Sequence, residues 1–281
     1  MTQRSTAFTL QDVPTELTVT EHPESRLQMS RSMEGKVVVV SGASMGVGKA
    51  TAQRFAQEGA TVILLARRKL LLDEIAETLG ANAVPIATDV TSSTEVRSAF
   101  EQVATRFGHV DVLVNSAGAS RIRLIEEASD DDIAVTVNTN LVAPIYTTRA
   151  AIPLLRAAGG GDVMNISSEI TLDHMPMMTL YAATKRGLNG FTEAMNHELR
   201  RDSIRVTLVI LGAVGDTGIH ENFGPGDLER AWPIWEADGY LTRMSGTQLL
   251  TSASVADVLF DVLTRPRELM MDVIHVRPAS S

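Results

Sequence analysis

The sequence predicts an α/β fold, a doubly wound parallel sheet of about seven strands with helices on both faces, in three layers. Three observations carry this expectation. Short apolar, β-branched runs recur at 36–41, 61–66, 83–88, 110–115, 161–167 and 204–211, with a seventh near 271–276. Such runs are typical of strands buried on both faces. Segments of helical period separate them at 46–58, 69–79, 92–107, 130–157, 179–202 and 254–264, so each strand is followed by a crossover helix. Finally, a glycine-rich turn joins the first strand to the first helix.

That turn runs Ser41-Gly-Ala-Ser-Met-Gly-Val-Gly48. Glycines permit a tight turn, a close approach of backbone to phosphate, and close helix–strand packing. The helix N-terminus behind them presents unpaired N–H groups and a positive dipole end to a pyrophosphate. A Walker phosphate loop is excluded, because Ala50 follows Lys49 and the glycine spacing differs.

The second strand, Thr61–Ala66, ends without an acid, and Arg67 and Arg68 follow. An acid at this place binds the ribose hydroxyls of NAD, whereas guanidinium groups match a 2′-phosphate. Two arginines are also poorly placed at a helix start, so NADP is the expected cofactor and NAD the less favoured one. The third strand ends in Thr88-Asp89-Val90, where Asp89 either contacts the adenine or caps the next helix.

Farther along, Asn165-Ile-Ser-Ser168 precedes Tyr181-Ala-Ala-Thr-Lys185. On a helix, a four-residue step places the phenol and the ammonium one turn apart on one face. A fixed cation there is expected to pull the tyrosine pKa down from about 10. Such a tyrosine can exchange a proton with an alcohol or carbonyl oxygen. Taken alone, the pair reads first as an ordinary buried Tyr and a solvated Lys on an amphipathic helix, since such pairs are common at this spacing.

Composition bounds the rest. Net charge is −9 with 44% hydrophobic and 21% charged residues, which argues for a globular protein without general affinity for nucleic acid or anionic membranes. There are no cysteines, hence no disulfides, thiolate metal sites or cysteine nucleophiles. The histidines, His174, His197, His220 and His275 among them, lack metal-ligand spacing, and no apolar run is long enough to span a bilayer. The first thirty residues carry Asp12, Glu16, Glu21 and Glu24 with no apolar h-region, so no targeting signal is expected and the cytoplasm is the expected compartment. Residues 1–33 read as an extension, disordered or laid over a neighbouring subunit, and 34–281 as a single domain. The segment 212–250, with Trp232, Trp235 and Tyr240, breaks the strand–helix rhythm and reads as a substrate loop or lid.

Together these pieces resemble the short-chain dehydrogenase/reductase superfamily, the single-domain Rossmann-fold form, over residues 34–277. Ser41-Gly-x-x-x-Gly-x-Gly48 resembles its Thr-Gly-x-x-x-Gly-x-Gly loop, Asn115-Ser-Ala-Gly118 its Asn-Asn-Ala-Gly element, and Asn140 its helix asparagine. Ser168, Tyr181 and Lys185 match the remaining members of its catalytic tetrad. Spacing favours Ser168 over Ser167, and alternation along a strand lets only one of them serve.

The resemblance implies an NADP(H)-dependent oxidoreductase moving hydride between nicotinamide and a carbonyl or secondary alcohol. It implies cofactor contacts at Gly42, Ser44, Met45, Gly46, Val47, Gly48, Arg67, Arg68, Asp89, Val90, Asn115, Ala117, Gly118, Tyr181, Lys185, Gly212, Val214 and Thr217. Tyr181 would be the acid or base, Ser168 would hold the developing alkoxide, and Lys185 would tune Tyr181 and bind the ribose. Asn140 would hold a water linking Lys185 to solvent, and Asn115 would steady the sheet. Three departures stand out. Leu211 replaces a frequent proline, and Thr217 lies one place later than usual, with Asp216 in its slot. Met45 occupies a position that is often basic in NADP-preferring members.

Met175, Met177, Met178, Trp232, Trp235, Tyr240 and Met244 either line the substrate site or fill the lid's own core. Methionines adapt to irregular apolar shapes, which favours an apolar or bulky ketone. Glu169 and Asp173 are expected to repel anionic substrates. The alternatives are a non-catalytic NADP(H)-binding sensor or scaffold, and an epimerase or dehydratase on the same sheet. The two long helices, 130–157 and 179–202, are the expected surfaces of a homodimer or homotetramer.

Overall fold

The computed structural model describes residues 32–240 and 248–279. Its sheet comprises β1 (Val37–Ser41), β2 (Thr61–Ala66), β3 (Ala83–Ala87), β4 (Val112–Asn115), β5 (Gly161–Ser168), β6 (Ile204–Leu211) and β7 (Val273–Val276), in the order β3-β2-β1-β4-β5-β6-β7. Every adjacent pair is parallel. The chain winds outward from β1 to β3, then returns to lay β4 beside β1. The strand order therefore reverses between β1 and β4, where open α/β sheets bind ligands.

The helices are α1 (Gly46–Gln57), α2 (Lys69–Leu79), α3 (Ser93–Phe107), α4 (Asp130–Val137), α5 (Ala143–Ala157), α6 (Thr179–Leu199), α7 (Asp227–Ala237) and α8 (Ser252–Leu263). Alternate strand residues enter two separate cores, as a period of two requires. Val38, Val40, Leu64 and Val114 pack with Phe55 of α1, Leu72 of α2 and Leu259 of α8. Val37, Val39, Ile63 and Leu113 pack with Phe100 of α3, Leu155 of α5 and Leu199 of α6. Both faces are thus covered, which is why the strands read as continuous apolar runs.

Three features depart from the sequence reading. Met33, expected in the leading extension, is buried in the same core as Phe55 and donates its N–H to Glu58 O over 2.9 Å. The predicted helix over 130–157 is interrupted by a π turn, Asn138–Val142. An α-helix there would need the N–H of residue 144 to reach Asn140 O. Residue 144 is proline and has none, so the turn widens. Third, α7 forms within 212–250, entered through Gly226 at φ +75, a conformation that favours glycine. Residues 1–31 and 241–247, the latter containing Met244, lie outside the described residues. Among the described residues, no helix is long and apolar enough to cross a membrane, and no His/Asp/Glu cluster could hold a metal ion.

Candidate active site

A cleft of about 860 Å³ opens across the carboxyl ends of β1 to β6. Its floor at β1 is the glycine turn. Gly42 has φ +71, and a Cβ there would lie 2.8 Å from Ala117 N; a Cβ on Gly48 would lie 2.4 Å from Gly42 O. Gly48 therefore seats α1 against the turn and does not line the cleft, unlike Gly42, Ser44, Met45, Gly46 and Val47. Ser41 Oγ accepts from the N–H groups of Ser116 and Ala117, tying the ends of β1 and β4 together. The first turn of α1 has neither a side-chain cap nor an acid, leaving its positive end turned to the cleft.

Arg67 and Arg68 line the far end of the cleft and are exposed. Arg68 Nη2 donates to Ser44 Oγ over 3.3 Å, joining the two turns that flank this end. Asp89 and Val90 line the cleft beside them. Asp89 does not cap α3. Its Oδ1 accepts from Thr91 N and Thr91 Oγ1 in a local turn, and Ser92 is the cap, accepting from Glu95 N.

Asn115 is buried outside the cleft. Its Nδ2 donates to Asn165 Oδ1 (2.8 Å) and Thr148 Oγ1 (3.2 Å), and its Oδ1 accepts from Thr147 Oγ1 (2.6 Å). This network clamps β4 to β5 and α5, in agreement with a sheet-steadying role. The side chain of Asn115 is thus taken up by protein groups. Ala117 and Gly118 do line the cleft.

At the other end, Ser168 closes β5, and Tyr181 and Lys185 lie on the first turns of α6, all three lining the cleft. Ser167 also reaches the cleft lining, but its hydroxyl is taken up by a bond to Asn189 Oδ1 over 2.6 Å. Tyr181 and Lys185 are 8% and 4% exposed. Burial pushes the Tyr181 phenol above its usual pKa, partly offset by a hydrogen bond with Ser168. Burial also lowers Lys185 from 10.5 to about 8. The expected depression of the phenol is thus not the net direction: desolvation raises it, and the group that lowers it is Ser168. Lys185 Nζ sits 5.8 Å from the phenol ring centroid and donates to Ile166 O over 2.8 Å.

Asn140 lies in the π turn, fully buried and off the cleft wall. Its Oδ1 accepts from Ala119 N, and its Nδ2 donates to Ala119 O and to Thr184 Oγ1. A Cβ on Gly118 would lie 3.6 Å from Asn140 Oδ1 and 3.9 Å from Lys185 Nζ, so both side chains converge beneath Gly118. On the opposite wall, Gly212, Val214 and Thr217 line the cleft. The late threonine is explained by Asp216, whose Oδ1 turns away to accept from Ser252 N (2.7 Å) and Ser252 Oγ (2.8 Å) at the start of α8.

The lid divides its residues between the two roles considered. Met175, Met177, Trp235 and Ile122 form a small core with Tyr181, and Trp235 Nε1 donates to Pro176 O over 2.9 Å. Met178 and Ile219 line the cleft, whereas Trp232 is 48% exposed. Glu169 is not at the substrate mouth; it points behind Gly212 and pairs with His275. Sequence reasoning passed over Arg121, which lines the cleft, pairs with Asp132 and donates to Asn222 O in the lid. Arg123 likewise pairs with Asp227 of α7. No motif marks either arginine, since their lid partners, Asn222 and Asp227, are remote in sequence.

Residues 36–227 match the short chain dehydrogenase family. The chain belongs to that family. Among relatives of this short-chain dehydrogenase, an oxidoreductase of Staphylococcus aureus (strain USA300) is 30% identical over 244 residues, covering 86% of this chain and 97% of the relative. A 3-oxoacyl-(acyl-carrier-protein) reductase of Thermotoga maritima is 36% identical over 185 residues, covering 65% and 75%. Among solved structures, a closed serine dehydrogenase complexed with NADP+ is 27% identical with a TM-score of 0.77, covering 86% of this chain and 94% of that one. A metagenomic short-chain oxidoreductase in complex with NADP is 27% identical with a TM-score of 0.73, covering 89% and 99%. This short-chain dehydrogenase is accordingly an oxidoreductase of the family.

Proposed function

We propose that the protein moves hydride between NADP(H) and a small carbonyl or secondary alcohol, reducing an apolar or bulky ketone. The observation that carries this reading is the convergence of Ser168, Tyr181 and Lys185 in one cleft with the glycine turn and two exposed arginines. The donor set fits a dinucleotide carrying a 2′-phosphate. An uncapped helix start suits a pyrophosphate. Arg67 and Arg68 follow a strand ending in alanine, with no acid to repel the extra phosphate. The NADP bound in two related structures supports the same choice.

When bound, the nicotinamide supplies or accepts the hydride. A phenol held above its usual pKa is protonated at neutral pH, so Tyr181 is ready to donate to the carbonyl oxygen and takes the proton back in the oxidative direction. Ser168 hydrogen-bonds the same oxygen as charge develops, a contribution of about 3 kcal/mol. Lys185 would hold the ribose hydroxyls, and its ammonium offsets negative charge on the phenol. Asn140 fixes the Ala119 loop against α6, and its carbonyl, denied a donor by Pro144, would hold the water leading outward from Lys185. Met178 and Ile219 give the substrate an apolar wall. We further infer a cytoplasmic homo-oligomer, dimer or tetramer, built on α5 and α6.

The test is NADPH and NADH oxidation across a panel of carbonyls, followed by absorbance of the reduced nicotinamide. NADPH-dependent turnover of an apolar ketone is expected. Tight NADPH binding without turnover of any carbonyl or alcohol would leave the sensor or scaffold reading in its place.

A further inference from the structure

Glu169 directly follows Ser168 and is only 7% exposed. Its carboxylate sits where three chain segments meet. Oε1 accepts from His275 Nε2 of β7 over 2.9 Å, across 106 positions of sequence. Oε2 is buried with no hydrogen-bond partner and lies 3.0 Å from where a Cβ on Gly212 would be. Gly212 in turn donates its N–H to Val276 O over 2.8 Å. An acid buried with half its acceptors unused is costly to maintain and contributes little to stability. Its placement therefore calls for a role beyond packing.

We propose that Glu169, through its bond to His275, is a positioning residue that holds Ser168 and the Gly212–Thr217 wall in register across the cleft. Glu169, in the turn after β5, bonds to β7 through His275 and lies against Gly212 of the loop after β6. β5 ends in the hydroxyl assigned to the substrate oxygen, and the loop lines the same cleft. The ladders reach this point, pairing Ser168 with Leu211 and Leu211 with Val276, so Glu169 is a side-chain link just past the last rung. Leu250 and Ser252 hold the loop from the far side, through Gly215 N, Ala213 O and the Asp216 carboxylate. Glu169 and His275 hold it from the β5 side. Ser168 and Leu211 stay paired in the ladder, but removing the carboxylate frees the loop past Gly212 to shift relative to Ser168, and a misplacement well under 1 Å lowers turnover.

This inference rests on the proposed reductase reading, and two experiments separate the two. The first needs no substrate. Amide hydrogen exchange at 212–217 in the cofactor-free protein is expected to quicken about tenfold in Glu169→Ala, with 113–115 in the sheet unchanged. Unchanged exchange at 212–217 overturns the tether whether or not the protein proves to be a reductase. The second is kinetic. Glu169→Ala and His275→Ala are each expected to lower kcat about tenfold with the Kd for NADPH little changed. The double variant is expected to be no worse than either alone, because the two act through one bond. Glu169→Gln keeps the acceptor for His275 and is expected to restore most of kcat. Additive losses, or a Gln variant as slow as the Ala variant, would overturn the proposal. So would a loss confined to thermal stability.

Discussion

Lys185 Nζ donates to the main-chain carbonyl of Ile166 over 2.8 Å, so its ammonium is anchored to β5 two residues before Ser168. Burial lowers its pKa to about 8, which makes the residue a stability cost as well as a functional group. The difference from 10.5 corresponds to roughly 3 kcal/mol at neutral pH. Below pH 8 the lysine is charged in both folded and unfolded chains, and the cost is complete. Between pH 8 and 10.5 the unfolded chain binds the extra proton, so stability rises with pH. Lys185→Met is expected to unfold at higher urea, by about 2 kcal/mol at pH 7 after losing the Ile166 bond. Its advantage should fade by pH 10. Urea titrations at both pH values check this.

Tyr181→Phe removes the proton donor while leaving the ring in its small apolar core with Met175 and Trp235. Turnover of a confirmed ketone is expected to fall about a thousandfold, with NADPH affinity nearly intact. Stopped-flow turnover and NADPH fluorescence titration read the two quantities separately.

The exposed arginines past β2 predict a cofactor-specific loss. Arg67→Ala and Arg68→Ala are each expected to raise KM for NADPH about tenfold, the cost of one charge-assisted phosphate contact, with KM for NADH unmoved. Equal losses for both cofactors would instead assign the arginines to the pyrophosphate.

Lid attachment rests on Arg123 and Asp227, an ion pair in which Asp227 is buried and also accepts from Gly224 N over 2.6 Å. Removing one partner of a buried pair leaves the other uncompensated. Asp227→Ala is expected to raise KM for the carbonyl substrate about tenfold while leaving the Kd for NADPH unchanged. A parallel loss of both would place the fault in the sheet, not the lid.

Much of this molecule was legible before folding was considered. The parallel sheet follows from apolar runs a crossover apart. The glycine turn, Arg67 and Arg68, Ser168, Tyr181 and Lys185 were each found from spacing or from likeness to a family motif. They were legible because each is a local pattern: a strand feeding a helix, or a four-residue step on a helix. Direction is less legible than position: Asn115 and Gly48 face other protein groups, since a motif fixes a residue's place in the chain and not the way it points. The break in the helix expected over 130–157 hangs on one residue, Pro144, inside an otherwise helical pattern. Helix α7 escaped notice because Gly226 and Pro233 obscured the four-residue spacing of Ala231 and Trp235.

The amino-acid order alone determined the strand and helix succession, the phosphate-ready turn and the family's acid–amine pair, all governed by backbone propensity and short-range periodicity. Tertiary structure decided what burial does to that pair, raising the phenol and lowering the amine, because desolvation depends on neighbours from β4, β5 and the lid. It also decided that Glu169 meets His275 and that Arg121 and Arg123 hold the lid. Those contacts join segments roughly a hundred residues apart, and only the packed sheet brings them together.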